Sequence, residues 1–223
     1  MDSASILPVL CLDLKENDVV ADYCAAPGGK SLSMLFTRRP SRILMNDNSL
    51  SRSHRLQTIM KSYVPRNEIS RKIEFRNVDG VNMIERDHYD KILLDAPCTN
   101  DKISVLSNHN NLFKTTRLNE RVSIPDLQIK LLLAALQSLK KGGNLVYSTC
   151  SLSPSQNDFV IRAALERIEN ETLNKFSVCK LNELLRPLRP LYKLHYCEYG
   201  ILILPFVPSN SGPLYICKIK KLE

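Results

Sequence analysis

Five short apolar runs recur along this chain with helical or polar stretches between them. They are "VVADY" (19–23), "RILMND" (42–47), "IEFRNVD" (73–79), "YDKILLDAP" (89–97) and "NLVYSTC" (144–150). Runs of this length with near-continuous apolar centres read as strands buried on both faces, as in parallel sheets. Parallel neighbours cannot be joined by a hairpin; each pair needs a right-handed crossover, usually a helix. The intervals supply helices. Residues 5–13 read as a short one, Ser31 to Thr37 begins another after a Gly pair, and Ser49 to Ser62 makes a third. "PDLQIKLLLAALQSLKKGG" (125–143) is the clearest, with Pro125 at its start and Gly142-Gly143 at its close. Ser153, Pro154 and Gln156 read as a capping-box start for a last helix, running to about Ile168. Thr99 to about Ser123 reads as a polar loop containing "NHNN" (108–111). The tail changes character: "FSVCKL", "YGILILP" and "PLYICKIKK" are strands separated by Pro-rich turns. The pattern predicts an α/β fold. Its sheet is mostly parallel and twisted, with helices on both faces and an antiparallel C-terminal strand pair.

Composition narrows the class. A chain of 223 residues that is 43% hydrophobic builds one sizeable core, so residues 1–223 are expected to form a single domain. The net charge of +8 suits a polyanionic partner such as nucleic acid without requiring one. Seven widely spaced cysteines with no Cys-x-x-Cys pair argue against a disulfide framework or a zinc site, and for a reducing compartment. His54, His88, His109 and His195 have no partner at ligand spacing, so no metal is expected. No apolar run is long enough to span a bilayer. The start, "MDSASILPVLCLDL", is amphipathic but acidic and lacks Arg, unlike a transit or signal peptide.

Chemistry in parallel sheets gathers at the carboxyl ends of the strands. Five such ends carry polar or reactive residues here: the loop Cys24 to Lys30, Asp47, Asp79-Gly80, Asp95 to Cys98, and Ser148 to Cys150. The first resembles the end of a phosphate-binding loop, but Cys24 stands where that pattern needs Gly, and Pro27 removes a donor. Gly28 and Gly29 let a ligand approach the backbone, and the amides opening the next helix suit a carboxylate as well as a phosphate. Asp47, 19 residues after Gly28, is placed to hold a ribose or to cap the helix beginning at Ser49. Asp79-Gly80 is either an ordinary turn or the edge of a base site. Together these features fit S-adenosyl-L-methionine better than a triphosphate, and Asp95 would favour its positive sulfonium. Cys98 and Cys150 are either small buried hydrophobes or a reactive pair at the ends of adjacent strands. A helix N-terminus after Cys150, with Lys30 nearby, would lower its thiol pKa and make it a nucleophile.

These segments together resemble the NOP/Sun family of RNA (cytosine-5) methyltransferases. The match is carried by "CAAPGGKS" (24–31), "NDNSLSR" (46–52), "VDG" (78–80), "LDAPCT" (94–99) and "GGNLVYSTCSLSPSQND" (142–158). "HRLQTIMKSYVP" (54–65), "NNLFK" (110–114) and "GPLYICKIKKLE" (212–223) are most like the mitochondrial ribosomal-RNA type. Where the family commonly has a Ser/Thr-Gly pair after Pro-Cys, this chain has Thr99-Asn100-Asp101.

The resemblance implies a Rossmann-like class I methyltransferase that uses S-adenosyl-L-methionine. Cys24, Ala25, Ala26, Pro27, Gly28, Gly29 and Lys30 would line the cofactor. Asp47 would hold its ribose, Asp79 with Gly80 would approach the adenine, and Asp95 would face both methyl group and target base. Cys150 would add to carbon 6 of cytosine, and Cys98 would assist release. It further implies RNA as substrate, most specifically mitochondrial small-subunit ribosomal RNA, and a mitochondrial location. The family's N-terminal extension is expected to be absent from this chain. No RNA-binding module is visible, which makes an mTERF-family helical-repeat protein a candidate partner. The competing reading is a non-catalytic cofactor-binding subunit or ribosome-assembly factor. The retained cysteines and aspartates weigh against it.

Overall fold

A computed structural model describes residues 2–106 and 111–222. Nine strands form one sheet: β1 (Val19–Asp22), β2 (Arg42–Asn46), β3 (Ile73–Arg76), β4 (Tyr89–Asp95), β5 (Leu139–Thr149), β6 (Phe176–Cys179), β7 (Lys193–Tyr196), β8 (Ile201–Leu204) and β9 (Leu214–Lys221). The order is β3-β2-β1-β4-β5-β9-β8-β7, with β6 also paired to β9. β1 to β5 are mutually parallel, and β9 runs antiparallel to β5. All five expected central strands are present. The antiparallel end is larger than a pair, comprising β6 to β9.

The helices are α1 (Leu7–Leu12), α2 (Gly29–Phe36), α3 (Leu50–Tyr63), α4 (Arg66–Lys72), α5 (Asp101–Leu106), α6 (Leu118–Ser138), α7 (Asp158–Glu171) and α8 (Asn182–Leu185). Successive strand residues point to opposite faces, and the core divides accordingly. Ala21, Leu44, Ile92, Leu94, Leu145 and Tyr147 pack with α6 and α7 on one face. Val20, Ile43, Met45, Leu93 and Val146 pack with α1, α2 and α3 on the other.

Three expectations about boundaries are corrected. Pro125 lies inside α6, not at its start. The preceding turns are held because Arg121 donates to the Leu112 carbonyl and stacks over Phe113. Gly142-Gly143 do not close that helix, which ends at Ser138; they lie within β5. There β5 bulges: Tyr89 pairs with Leu139 but Lys91 pairs with Asn144, and Gly142 takes the positive φ of 78°. Ser153, Pro154 and Gln156 form a short 3-10 turn without a side-chain cap, and α7 begins only at Asp158. Part of the expected polar loop is helical (α5 and the start of α6), and 107–110 of it lie outside the described residues.

Candidate active site

Strand order reverses between β1 and β4, which opens a crevice at their carboxyl ends. The loop leaving β1 is tied to the end of β2. Ala25 N donates to the Asn46 carbonyl (2.7 Å) and Ala26 N to Asp47 Oδ2 (3.3 Å), while Arg52 Nη2 donates to the Ala26 carbonyl (2.7 Å). Gly28 caps α2 with φ 112°. A Cβ there would sit 2.8 Å from both Leu56 Cδ1 and Met60 Cε, side-chain ends that can shift, so it is the positive φ that calls for Gly.

The crevice holds a cavity of about 680 Å³. Its wall includes Cys24, Ala25, Ala26, Pro27, Gly29, Lys30, Asp95 and Cys150, eight of the expected site residues. Lys30 Nζ lies 2.6 Å from Asp95 Oδ2, and Ser148 Oγ donates to Asp95 Oδ1 (2.7 Å). Burial pulls the Lys30 ammonium down, but the adjoining Asp95 charge and hydrogen bond, with Asp22 behind them, hold it above its ordinary value.

Asp22 also lines the cavity and is not among the residues singled out from the sequence. It is 1% exposed. Ser31 Oγ donates to Oδ2 (2.6 Å), but Oδ1 is buried with no hydrogen-bond partner among the described residues. Burial, opposed by the Ser31 bond and reinforced by Asp95, pushes its carboxyl up to about 7. The available signal was a carboxylate closing a strand that is otherwise entirely apolar.

Cys98 lies beside the cavity wall and meets Cys150 with an Sγ–Sγ separation of 3.1 Å. Both are free thiols. Cys98 Sγ also accepts from Cys150 N (3.3 Å). The contact with Cys150 draws Cys98 below the ordinary thiol value in spite of burial. Cys150 is raised by the same contact and by its own burial. The expectation of a lowered Cys150 pKa is therefore corrected: the contact with Cys98 and burial outweigh the lowering by Lys30.

Three aspartate-turn residues lie off the cavity. Asp47 is buried, and its Oδ1 accepts from Ser49 N (3.0 Å) in a turn leading into α3, whose first turn has no side-chain cap. Asp79 is exposed and its Oδ1 accepts from Val81 N (3.0 Å), as a turn aspartate does. Gly80 is buried, where a Cβ would lie 2.9 Å from Leu131 Cδ2. Among the described residues no group of three or more His, Cys, Asp or Glu is arranged to hold a metal ion. No described helix is long and apolar enough to cross a membrane.

The reversed strand order, the glycine loop opening α2 and the strand-end aspartates define a Rossmann-like class I methyltransferase. The sequence matches the family described as 16S rRNA methyltransferase RsmB/F over residues 9–193, and the chain belongs to that family. It is 41% identical to the Caenorhabditis elegans 5-cytosine rRNA methyltransferase nsun-4, covering all of this chain and 49% of that protein. It is also 41% identical to the Mus musculus 5-cytosine rRNA methyltransferase NSUN4, covering all of this chain and 59% of that one. The chain thus spans about half the length of the curated relatives it matches. Among solved structures, NSun6 from Pyrococcus horikoshii with SFG superposes at a TM-score of 0.67. The identity there is 25%, over all of this chain and 53% of that one.

Proposed function

We propose that this chain transfers a methyl group from S-adenosyl-L-methionine to carbon 5 of a cytosine in RNA, through a covalent cysteine–cytosine intermediate. The observation that carries this reading is the pair of free thiols 3.1 Å apart, at a cavity that also holds Lys30 and Asp95. The residues present fit the cofactor. The unpaired Asp22 Oδ1 suits an ammonium, and the loop Cys24 to Lys30 offers close backbone approach. Asp47 keeps further acceptor capacity for a ribose hydroxyl, because a carboxylate has about four lone-pair sites. Asp79 and Gly80 complete the reading as the adenine edge. The family, and a relative solved with SFG, support the same cofactor.

The chain's own residues perform the acid–base steps. Cys150 gives its proton to Cys98 along the existing hydrogen bond as its sulfur bonds carbon 6. Asp95, fixed by Lys30 and Ser148, holds the polarised base edge. The addition makes carbon 5 enamine-like. When bound, the cofactor supplies an electrophilic methyl on a sulfonium. Once carbon 5 has taken the methyl and lost its proton to a base, the carbon 6–sulfur bond breaks. Its electron pair returns to Cys150, and Cys98, carrying the proton, reprotonates it. Without Cys98 that release stalls.

Relatives named as rRNA methyltransferases at 41% identity support ribosomal RNA as substrate, and this reading takes mitochondrial small-subunit rRNA as the target. A Mus musculus tRNA (cytosine(34)-C(5))-methyltransferase, mitochondrial, at 33% supports the mitochondrial location and names the competing substrate class. RNA binding through an mTERF-family partner belongs to this reading. The test incubates the parent, Cys150→Ala and Cys98→Ala with labelled S-adenosyl-L-methionine, mitochondrial rRNA and tRNA. Label in rRNA from the parent, none from Cys150→Ala, and a covalent RNA adduct from Cys98→Ala are expected. Turnover by Cys150→Ala, or no adduct with Cys98→Ala, would overturn the cysteine roles. Label confined to tRNA would overturn the substrate.

A further inference from the structure

The segment that departs from the common family pattern, Thr99-Asn100-Asp101, reaches across to the loop that carries Cys150. Asp101 N donates to the Cys150 carbonyl (3.2 Å). Its carboxylate takes the next free amide, Leu152 N, on Oδ2 (2.7 Å). Ser151 Oγ lies 3.3 Å from the same oxygen. On its own side, Thr99 Oγ1 donates to Asp101 Oδ1 (2.5 Å). Thr99 directly follows Cys98, and its hydroxyl also meets Ser151 Oγ (2.9 Å). Gln156 closes the set, with Oε1 accepting from Thr99 N (3.0 Å). One carboxylate thus grips residues adjoining both thiols, and its amide grips Cys150 itself.

We infer that Asp101 is a positioning residue: it fixes the separation of Cys98 and Cys150 at which a proton passes directly between them. The inference rests on the reading of these cysteines as the reacting pair. A backbone held only by the sheet would leave this contact loose. β4 ends at Asp95 and β5 at Thr149, so both thiols stand on loop residues beyond the last ladder bonds. Proton transfer requires hydrogen-bond contact, and a displacement of about 1 Å costs on the order of 100-fold in rate. The device requires an acid at this position.

The test compares the parent, Asp101→Ala, Asp101→Asn and Thr99→Val. The first readout is the pH profile of iodoacetamide labelling of the cysteine pair, which needs neither RNA nor cofactor. The parent is expected to react with an apparent pKa below a free thiol. Asp101→Ala and Thr99→Val are expected to move the profile upward, and Asp101→Asn, which can still accept from Leu152 N, to restore most of it. The other charged groups facing the pair, Asp95 and Lys30, are unchanged in all variants. The second readout is methyl transfer, expected to fall about 100-fold in Asp101→Ala with the KM for S-adenosyl-L-methionine unchanged. Labelling at the parent's pH profile by both Asp101→Ala and Thr99→Val would overturn the inference. If Asp101→Ala does not fold, the Thr99→Val profile decides alone. A parent that shows the shifted profile but no methyl transfer would defeat the proposed function and leave the positioning role standing.

Discussion

Replacing Asp22 by Asn separates what the cavity needs from what the fold prefers. The carboxyl is 1% exposed and pushed up from 3.8 to about 7 by burial, against the help of Ser31. A raised acid is a stability statement with a definite sign: the ionised form costs the folded state, so stability is highest below about pH 4. It falls as the pH climbs to about 7, then levels off. Three decades of acidity at about 1.4 kcal/mol each put the full cost near 4 kcal/mol. Asn removes the charge but buries an amide beside Ser31, with an expected loss of about 1–3 kcal/mol for an imperfectly bonded group. Near pH 8 the variant should therefore be the more stable protein by about 1–3 kcal/mol, a rise in Tm of roughly 3–9 °C. Below about pH 4 the parent carries none of this cost and the order should reverse. Urea unfolding at both pH values measures the difference directly. Cofactor affinity should move the other way, because the unpaired oxygen is the acceptor proposed for an ammonium; calorimetry near pH 8 should show weaker binding by Asp22→Asn. Equal pH dependence of unfolding in the two proteins would refute the burial argument. Unchanged affinity would refute the acceptor role.

Two further outcomes follow from the loop and the thiols. Gly28→Ala should lower stability by about 2–4 kcal/mol, from the positive φ and from crowding of Leu56 and Met60, and a thermal melt within a degree of the parent would contradict this. Removing the Cys150 thiol takes away the bond that stabilises the Cys98 thiolate, so in Cys150→Ala iodoacetamide labelling of Cys98 at neutral pH should slow several-fold. Peptide mapping of the labelled protein reads this, and an unchanged rate would show that the pair does not share a proton.

The central strands were legible because burial on both faces demands continuous apolar runs, and "KILLD" or "NLVYST" admits few other readings. The cysteine pairing was legible for the same reason: once β4 and β5 are adjacent, residues just beyond their ends must meet. What escaped the sequence depends on partners distant along the chain. Pro125 signals a helix start locally, yet Arg121 and its contacts to Leu112 and Phe113 carry the helix back to Leu118. Gly142-Gly143 signal a helix stop, but the register of β4 makes them a bulge. Asp22 carries one local mark, a carboxylate ending an apolar strand, but its raised carboxyl is set by burial together with Ser31, Asp95 and Lys30 from other elements. The direction of the Cys150 shift is not legible locally, because it is set by the contact with Cys98 and by burial.

The antiparallel pairing of β9 with β5 has a consequence for synthesis. β5 delivers Ser148 and leads directly into Cys150, and among the described residues the edge of β5 away from β4 pairs with β9. Until β9 has been made, β1 to β4 can assemble against one side of β5 while the other side stays an open row of donors and acceptors. The growing chain therefore carries its reactive strand as an unpaired edge from the completion of β5 to that of β9. A chain clipped before β9 would leave that edge exposed to pairing with other chains, which makes β9 a cover for the reactive strand as well as a part of the sheet.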